Sequence, residues 1–152
     1  MAAERNQRQI AMEDLKSFLI AAGQLGATGV IYAPLIAVKM GPDKYTRLPD
    51  VTPLRSQQEL EMDLLAELSV EIAEHAEKHN VCVLWEPLNR YEQWWFNRLS
   101  DGAALCDRVN RPGCKIMADF FHMSIEEDTI AGALREYATG YVRHIHLADS
   151  NR

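Results

Sequence analysis

The sequence predicts an α/β fold built on a parallel sheet, and three observations carry that prediction. Short apolar runs at residues 29–34, 81–85, 115–119 and 142–146 alternate with stretches of helical periodicity. No two-residue hairpin signal joins consecutive runs, and every connection is long enough to hold the helix that a right-handed parallel crossover needs. Three of the four runs also end on groups able to bind a metal: Glu86 just after Trp85, Asp119, and His146.

Taken in order, Ile10, Leu15, Phe18, Leu19, Ala22 and Leu25 fall near one helical face, and Gly26 is placed to cap that helix. Gly29 to Ala33 read as a short strand closed by Pro34. Residues 35–55 form a long loop broken by Gly41, Pro42 and Pro49. Its length and its cations Lys39, Lys44, Arg47 and Arg55 fit either a binding loop or a solvated surface segment. Ser56 and Glu59 make a capping box, and Leu60, Leu64, Leu68, Ile72 and Ala76 continue as an apolar stripe towards His79 and Asn80. His75 and His79 stand four apart on the last turns, where a cation suits the helix dipole; lacking an HExxH frame, they read as surface residues.

After the second strand, Trp94, Trp95 and Phe96 make a bulky loop, read as packing that can also keep water from a pocket. Ser100 or Asp101 is expected to cap a short helix through Leu105 and Val109 that stops at Pro112 and Gly113. Ser124 and Glu127 suggest a second capping box, opening a helix through Ile130, Leu134 and Tyr137 to Gly140.

A chain of 152 residues, 47% hydrophobic and 25% charged, suits one core, so a single domain over residues 1–152 is expected. Its net charge of -6 at pH 7 argues against non-specific binding to nucleic acid or an acidic membrane. Cys82, Cys106 and Cys114 are odd in number and form no CxxC pair, which points to free buried thiols and a reducing compartment. Nothing near Met1 resembles the apolar core of a signal peptide, and no stretch reaches membrane-spanning length. A cytoplasmic protein with neither a nucleic-acid nor a membrane partner is expected.

In parallel α/β sheets, ligands bind at the carboxyl ends of the strands, where Glu86, Asp119 and His146 all fall. Each alone has an ordinary structural role: a salt-bridging carboxylate for Glu86, a helix cap for Asp119, a core imidazole for His146. Together on three adjacent strand ends they read as a mixed oxygen and nitrogen metal site, suited to Mn²⁺, Mg²⁺ or Co²⁺.

Three motifs then carry a resemblance. Glu86-Pro87-Leu88-Asn89-Arg90-Tyr91-Glu92, Asp119-Phe120-Phe121-His122 and the run from His144 through His146 to Arg152 resemble those of the xylose isomerase-like (β/α)₈ sugar isomerases and epimerases. Within that group they are most similar to the ketose 3-epimerases of the D-tagatose and D-psicose type. The resemblance implies that Glu86, Asp119 and His146 bind a divalent metal, usually Mn²⁺, and that Glu86 is one of two carboxylates exchanging a proton with a small-molecule sugar. It places Glu92, His122 and Arg152 at positions that hydrogen-bond the sugar. The chemistry is coherent: a proton α to a ketone becomes removable when a cation stabilises the charge left behind, and a carboxylate on each face permits inversion. His144, on the strand face of His146, is expected one layer deeper in the barrel, and Arg90 is expected to pair with a loop carboxylate.

A complete barrel takes eight strands in typically about 250 residues. The motif order places this chain at the third to sixth strands, a partial TIM barrel without the last-strand Glu that would be fourth ligand and second proton-exchanging carboxylate. The expectation is a fragment of a longer product. If the chain is stable alone, a homo-oligomer is expected, covering both sheet edges and a face lined by Cys82, Leu84, Met117 and His144. Two other readings remain open on sequence alone: an endonuclease IV-like DNA repair enzyme of the same superfold, and an inactive half barrel that only binds metal or self-associates.

Overall fold

The structure, a computed structural model, describes residues 4–34 and 55–150. The elements follow as α1 (Arg5–Gln24), β1 (Gly29–Tyr32), α2 (Gln57–Lys78), β2 (Cys82–Trp85), α3 (Leu99–Val109), β3 (Cys114–Asp119), α4 (Phe120–Glu126), α5 (Ile130–Tyr141) and β4 (Val142–His146). The four strands form one sheet in the order β1-β2-β3-β4, every pair parallel. Each strand therefore lies beside its neighbour in sequence, as successive βα units of a barrel do. Residues 35–54, with Lys39, Lys44 and Arg47, and also Arg152, lie outside the described residues. Arg55 pairs with Asp63 of α2 at 2.5 Å.

Local chemistry sets most helix ends. Ser56 Oγ accepts the Glu59 N–H at 3.2 Å while the Glu59 carboxylate accepts the Ser56 N–H at 2.9 Å, the reciprocal box that starts α2. α1 ends at Gln24, and Gly26 takes the left-handed conformation (φ 68°) that closes a helix cheaply only for glycine. Two caps differ from expectation. Asp101 does not precede α3 but sits inside it, accepting the backbone N–H groups of Asn97 (2.9 Å) and Arg98 (3.0 Å), so the helix begins at Leu99. Ser124 starts no helix: Asp119 Oδ1 accepts the Phe121 N–H at 2.8 Å and opens α4 directly after β3, leaving Ser124 inside α4. Glu127 instead accepts the Leu99 N–H at 2.7 Å, and α5 is capped by Thr129 Oγ1 on the Gly132 N–H at 3.0 Å.

The buried helix faces are also rotated from the sequence reading. α1 buries Met12, Leu15, Leu19 and Ala22, whereas Ile10, Phe18 and Leu25 are 61%, 63% and 85% exposed. α2 buries Leu65, Ile72, Ala73 and Ala76, with Leu60, Leu64 and Leu68 at the margin, because it packs against α1 and α3 as well as the sheet. His75 is half-buried rather than a free surface residue. Its Nε2 has no hydrogen-bond partner among the described residues, and burial, followed by the His79 and Lys16 charges, lowers its pKa.

The main core lies between the helices and one face of the sheet, where Val83, Trp85, Cys114, Ile116 and Ala118 meet Leu19, Ile72 and Leu105. Cys106 and Cys114 bring their sulfurs to 3.7 Å within it as free thiols. The hydrogen bond to Cys106 and then burial push the Cys114 thiol far up, so it carries no nucleophilic thiolate near neutral pH. The opposite face holds Cys82, Leu84, Met117, His144 and His146. Leu84 and Met117 are buried there, Cys82 is half-buried, and His144 is exposed on the edge strand β4 rather than lying deeper in a core.

A β-bulge decides what β4 shows. Ile116 pairs with Val142 but Met117 pairs with His144, so Arg143 is an extra residue and the alternation resets. Val142 thereby packs against the helix-side core, while His144 and His146 turn to the other face. No described helix is long and apolar enough to cross a membrane.

Candidate metal centre

Three strand ends build the site. The Glu86 N–H donates to the Tyr32 carbonyl at 3.1 Å, continuing the β1–β2 ladder one residue past β2 and holding Glu86 at the rim before Pro87 turns the chain away. Asp119 is the last residue of β3, His146 the last of β4, and the register sets them opposite one another. One ligand atom each from Glu86, Asp119 and His146 lie within 4.8 Å of one another, the only such grouping of three among the described residues.

The Asp119 carboxylate is buried, with Oδ1 on the Phe121 N–H and Oδ2 3.5 Å from His146 Nδ1. The His146 side chain is 44% exposed, which leaves the site open on its β4 side. Ligand atoms about 2.0–2.6 Å from one ion stand at most about 4–5 Å apart, so the spacing fits a shared cation. Two carboxylate oxygens and an imidazole nitrogen, with no thiolate, fit a hard or borderline divalent ion better than a structural zinc.

His122, on the first turn of α4, brings Nε2 to 3.7 Å from Glu86 Oε1. Its Nδ1 accepts the Asn89 backbone N–H at 3.2 Å and faces Asn89 Nδ2 at 2.8 Å. That same Nδ2 donates to Glu92 Oε1 at 3.0 Å. Glu86, Asp119, His122 and His146 thus cluster directly and Glu92 joins them through Asn89; Arg152 lies outside the described residues. Arg90 pairs with a carboxylate as expected, but the partner is Glu126 at the end of α4 rather than a loop residue.

The aromatic loop behaves as packing. Trp95 and Phe96 are buried in the helix-side core, and Trp95 Nε1 donates to Glu61 Oε2 at 2.9 Å. Trp94 remains partly exposed. Phe96 adopts a left-handed backbone (φ 67°), strained for a large side chain, and the buried Gln93 amide donates to its carbonyl.

Asn89, Glu126 and Glu61 are buried polar residues whose partners the sequence alone does not indicate. The one available signal was Asn89 itself, a polar residue directly after the apolar Pro87-Leu88 step. Glu126 and Glu61 sit in helices where a carboxylate ordinarily faces water.

A family model described as xylose isomerase-like TIM barrel matches residues 2–152. The 3-dehydro-D-guloside 4-epimerase of Escherichia coli (strain K12) is 29% identical over 148 residues, covering 96% of this chain and 53% of that protein. The D-psicose 3-epimerase of Ruminiclostridium cellulolyticum is 40% identical over 82 residues, 54% of this chain and 28% of that protein. A crystal structure of D-psicose 3-epimerase with D-tagatose from Clostridium cellulolyticum H10 superposes with a TM-score of 0.79 at 26% identity, covering 99% of this chain and 48% of that one. The chain spans about half the length of the relatives it matches from end to end. Four consecutive parallel strands with helical crossovers between them and a family match through nearly every residue lead to one assignment: the chain belongs to the xylose isomerase-like TIM barrel family.

Proposed function

We propose that this protein is a divalent-metal-dependent ketose epimerase, or the part of one that carries its metal ligands and one proton-exchanging carboxylate. The observation that carries this reading is the convergence of Glu86, Asp119 and His146 on one rim with His122 beside them. Glu86, Asp119 and His146 would hold the ion, with Mn²⁺ favoured over Mg²⁺ or Co²⁺ by the resemblance. A bound divalent cation supplies positive charge that stabilises negative charge developing on the sugar's carbonyl and neighbouring hydroxyl oxygens. Glu86 takes the proton from the carbon next to the carbonyl and returns it. Glu92, His122 and Arg152 bind the sugar hydroxyls and hold that carbon in front of Glu86.

The similarity to named 3- and 4-epimerases supports a ketose or related hydroxy-carbonyl sugar as substrate. The free thiols support a cytoplasmic setting. β1 and β4, the edges of the described sheet, support association of copies, which sedimentation at micromolar concentration reads directly.

The test is deuterium incorporation at the carbon next to the carbonyl when the protein is incubated in D₂O with Mn²⁺ and D-psicose, D-fructose or D-tagatose. Exchange that disappears in Glu86→Gln is the expected result. Inversion requires a second carboxylate on the opposite face, so exchange, not product formation, is the decisive readout for these residues. No incorporation with any of the three sugars rejects the reading.

A further inference from the structure

Asn89 links the two described side chains assigned to the sugar, and its orientation is decided by a backbone contact. Asn89 Oδ1 accepts the Tyr91 N–H at 2.9 Å, a bond that only the oxygen end of the amide can make. Nδ2 therefore faces Glu92 Oε1 at 3.0 Å and His122 Nδ1 at 2.8 Å. The backbone N–H of Asn89 also points at His122 Nδ1, at 3.2 Å. Two N–H donors aimed at one ring nitrogen require that nitrogen to be the acceptor. In a neutral imidazole the proton then resides on the other nitrogen, Nε2, which stands 3.7 Å from Glu86 Oε1.

We propose that Asn89 is a positioning residue that locks His122 in its Nε2–H tautomer, so that the buried imidazole presents a hydrogen-bond donor beside Glu86 instead of a metal-binding lone pair. This accounts for the division of labour between two histidines at one rim. His146 offers a free nitrogen to the ion, while His122, equally near the carboxylates, is committed to donating towards an oxygen of the sugar. Through the same amide, Asn89 fixes the Glu92 carboxylate in register with that donor. Asn89 is 1% exposed, so no water can take over its bonds without opening the loop after β2.

The substrate half of the inference rests on the epimerase reading; the tautomer does not. Two-bond ¹H–¹⁵N correlation spectra of the ¹⁵N-labelled protein show which nitrogen of His122 carries the proton. The expected result is Nε2–H in the native protein. In Asn89→Asp a carboxylate oxygen replaces the side-chain donor at 2.8 Å, outweighs the retained and longer backbone N–H contact at 3.2 Å, and the proton moves to Nδ1. Mn²⁺ affinity is retained in that variant and sugar proton exchange falls about 10- to 100-fold, the range for removal of an orienting partner. A native His122 protonated on Nδ1 overturns the inference, as does an Asn89→Asp protein with unchanged tautomer and unchanged exchange. If Asn89→Asp does not fold, the native spectrum alone still decides the tautomer. An Nε2–H His122 in a protein that exchanges no sugar proton supports the tautomer assignment while overturning the epimerase reading.

Discussion

Arg90 grips Glu126 with three donors: its backbone N–H at 2.6 Å and Nε at 3.0 Å on Oε1, and Nη2 at 3.0 Å on Oε2. The grip ties the loop after β2, which carries Asn89 and Glu92, to the last residue of α4, the helix whose first turn carries His122. Burial works to raise the Glu126 pKa, but the Arg90 side-chain and backbone bonds outweigh it and hold the carboxyl below its ordinary value. A carboxyl lowered on folding contributes stability that is complete above the unfolded Glu range and is lost as pH falls through the lowered native value. Thermal unfolding against pH should therefore show native protein losing its advantage over Glu126→Gln only on the acid side. At neutral pH, Glu126→Ala is expected to cost about 1–3 kcal/mol in urea unfolding, because the Arg90 N–H loses its acceptor.

Asp119 caps α4 and, on the proposed reading, also binds the cation, two roles that substitutions can separate. Asp119→Asn keeps its one oxygen for the Phe121 N–H and so turns an NH₂, which cannot ligate, to where Oδ2 faces His146, whereas Asp119→Ala removes both oxygens. Added Mn²⁺ should raise the melting temperature of the native protein, by about 2.7 kcal/mol of stability at a hundred times Kd. Asp119→Asn should lose most of that gain with little change in metal-free stability. Asp119→Ala should lose the gain and also about 1 kcal/mol through the missing cap. Equal Mn²⁺ shifts in all three proteins would rule out the site.

On the proposed reading, Glu86→Gln preserves an oxygen ligand but removes the proton acceptor. Its Mn²⁺-induced thermal shift should shrink only modestly, while deuterium incorporation into ketose drops below detection. Incorporation at the native rate would exclude Glu86 as the base.

Trp95 and Glu61 join the aromatic loop to the first turns of α2 by the 2.9 Å bond between Nε1 and Oε2. Trp95→Phe retains most of the ring's apolar area but deprives a buried carboxylate of a donor, and should destabilise the protein by about 1–3 kcal/mol. A double-mutant cycle with Glu61→Gln measures the coupling; additive effects would show that the bond contributes nothing beyond packing.

Several features were legible because they depend on neighbours in sequence. The Ser56–Glu59 box, the apolar run before Glu86 and the left-handed Gly26 involve residues within four positions of one another, and appear where expected. The parallel sheet follows from connection lengths, and the meeting of Glu86, Asp119 and His146 follows from the rule that such strands present their carboxyl ends together.

Tertiary packing decided what lies beyond that range. Ile10 and Phe18 are as apolar as Leu15 and Leu19, and only the placement of α2 and β1 against α1 selects the face that is buried. Asp119 and Ser124 both suit a helix start; the end of β3 at Asp119 settles the choice. The bulge that turns His146 to the side of Glu86 and Asp119 needs the β3–β4 register, and Asn89 reaches His122 across 33 positions of sequence. Sequence periodicity reports only the torsional repeat of a single segment. The direction a side chain faces and the partner it meets are set by surfaces from elsewhere in the chain that exclude water together.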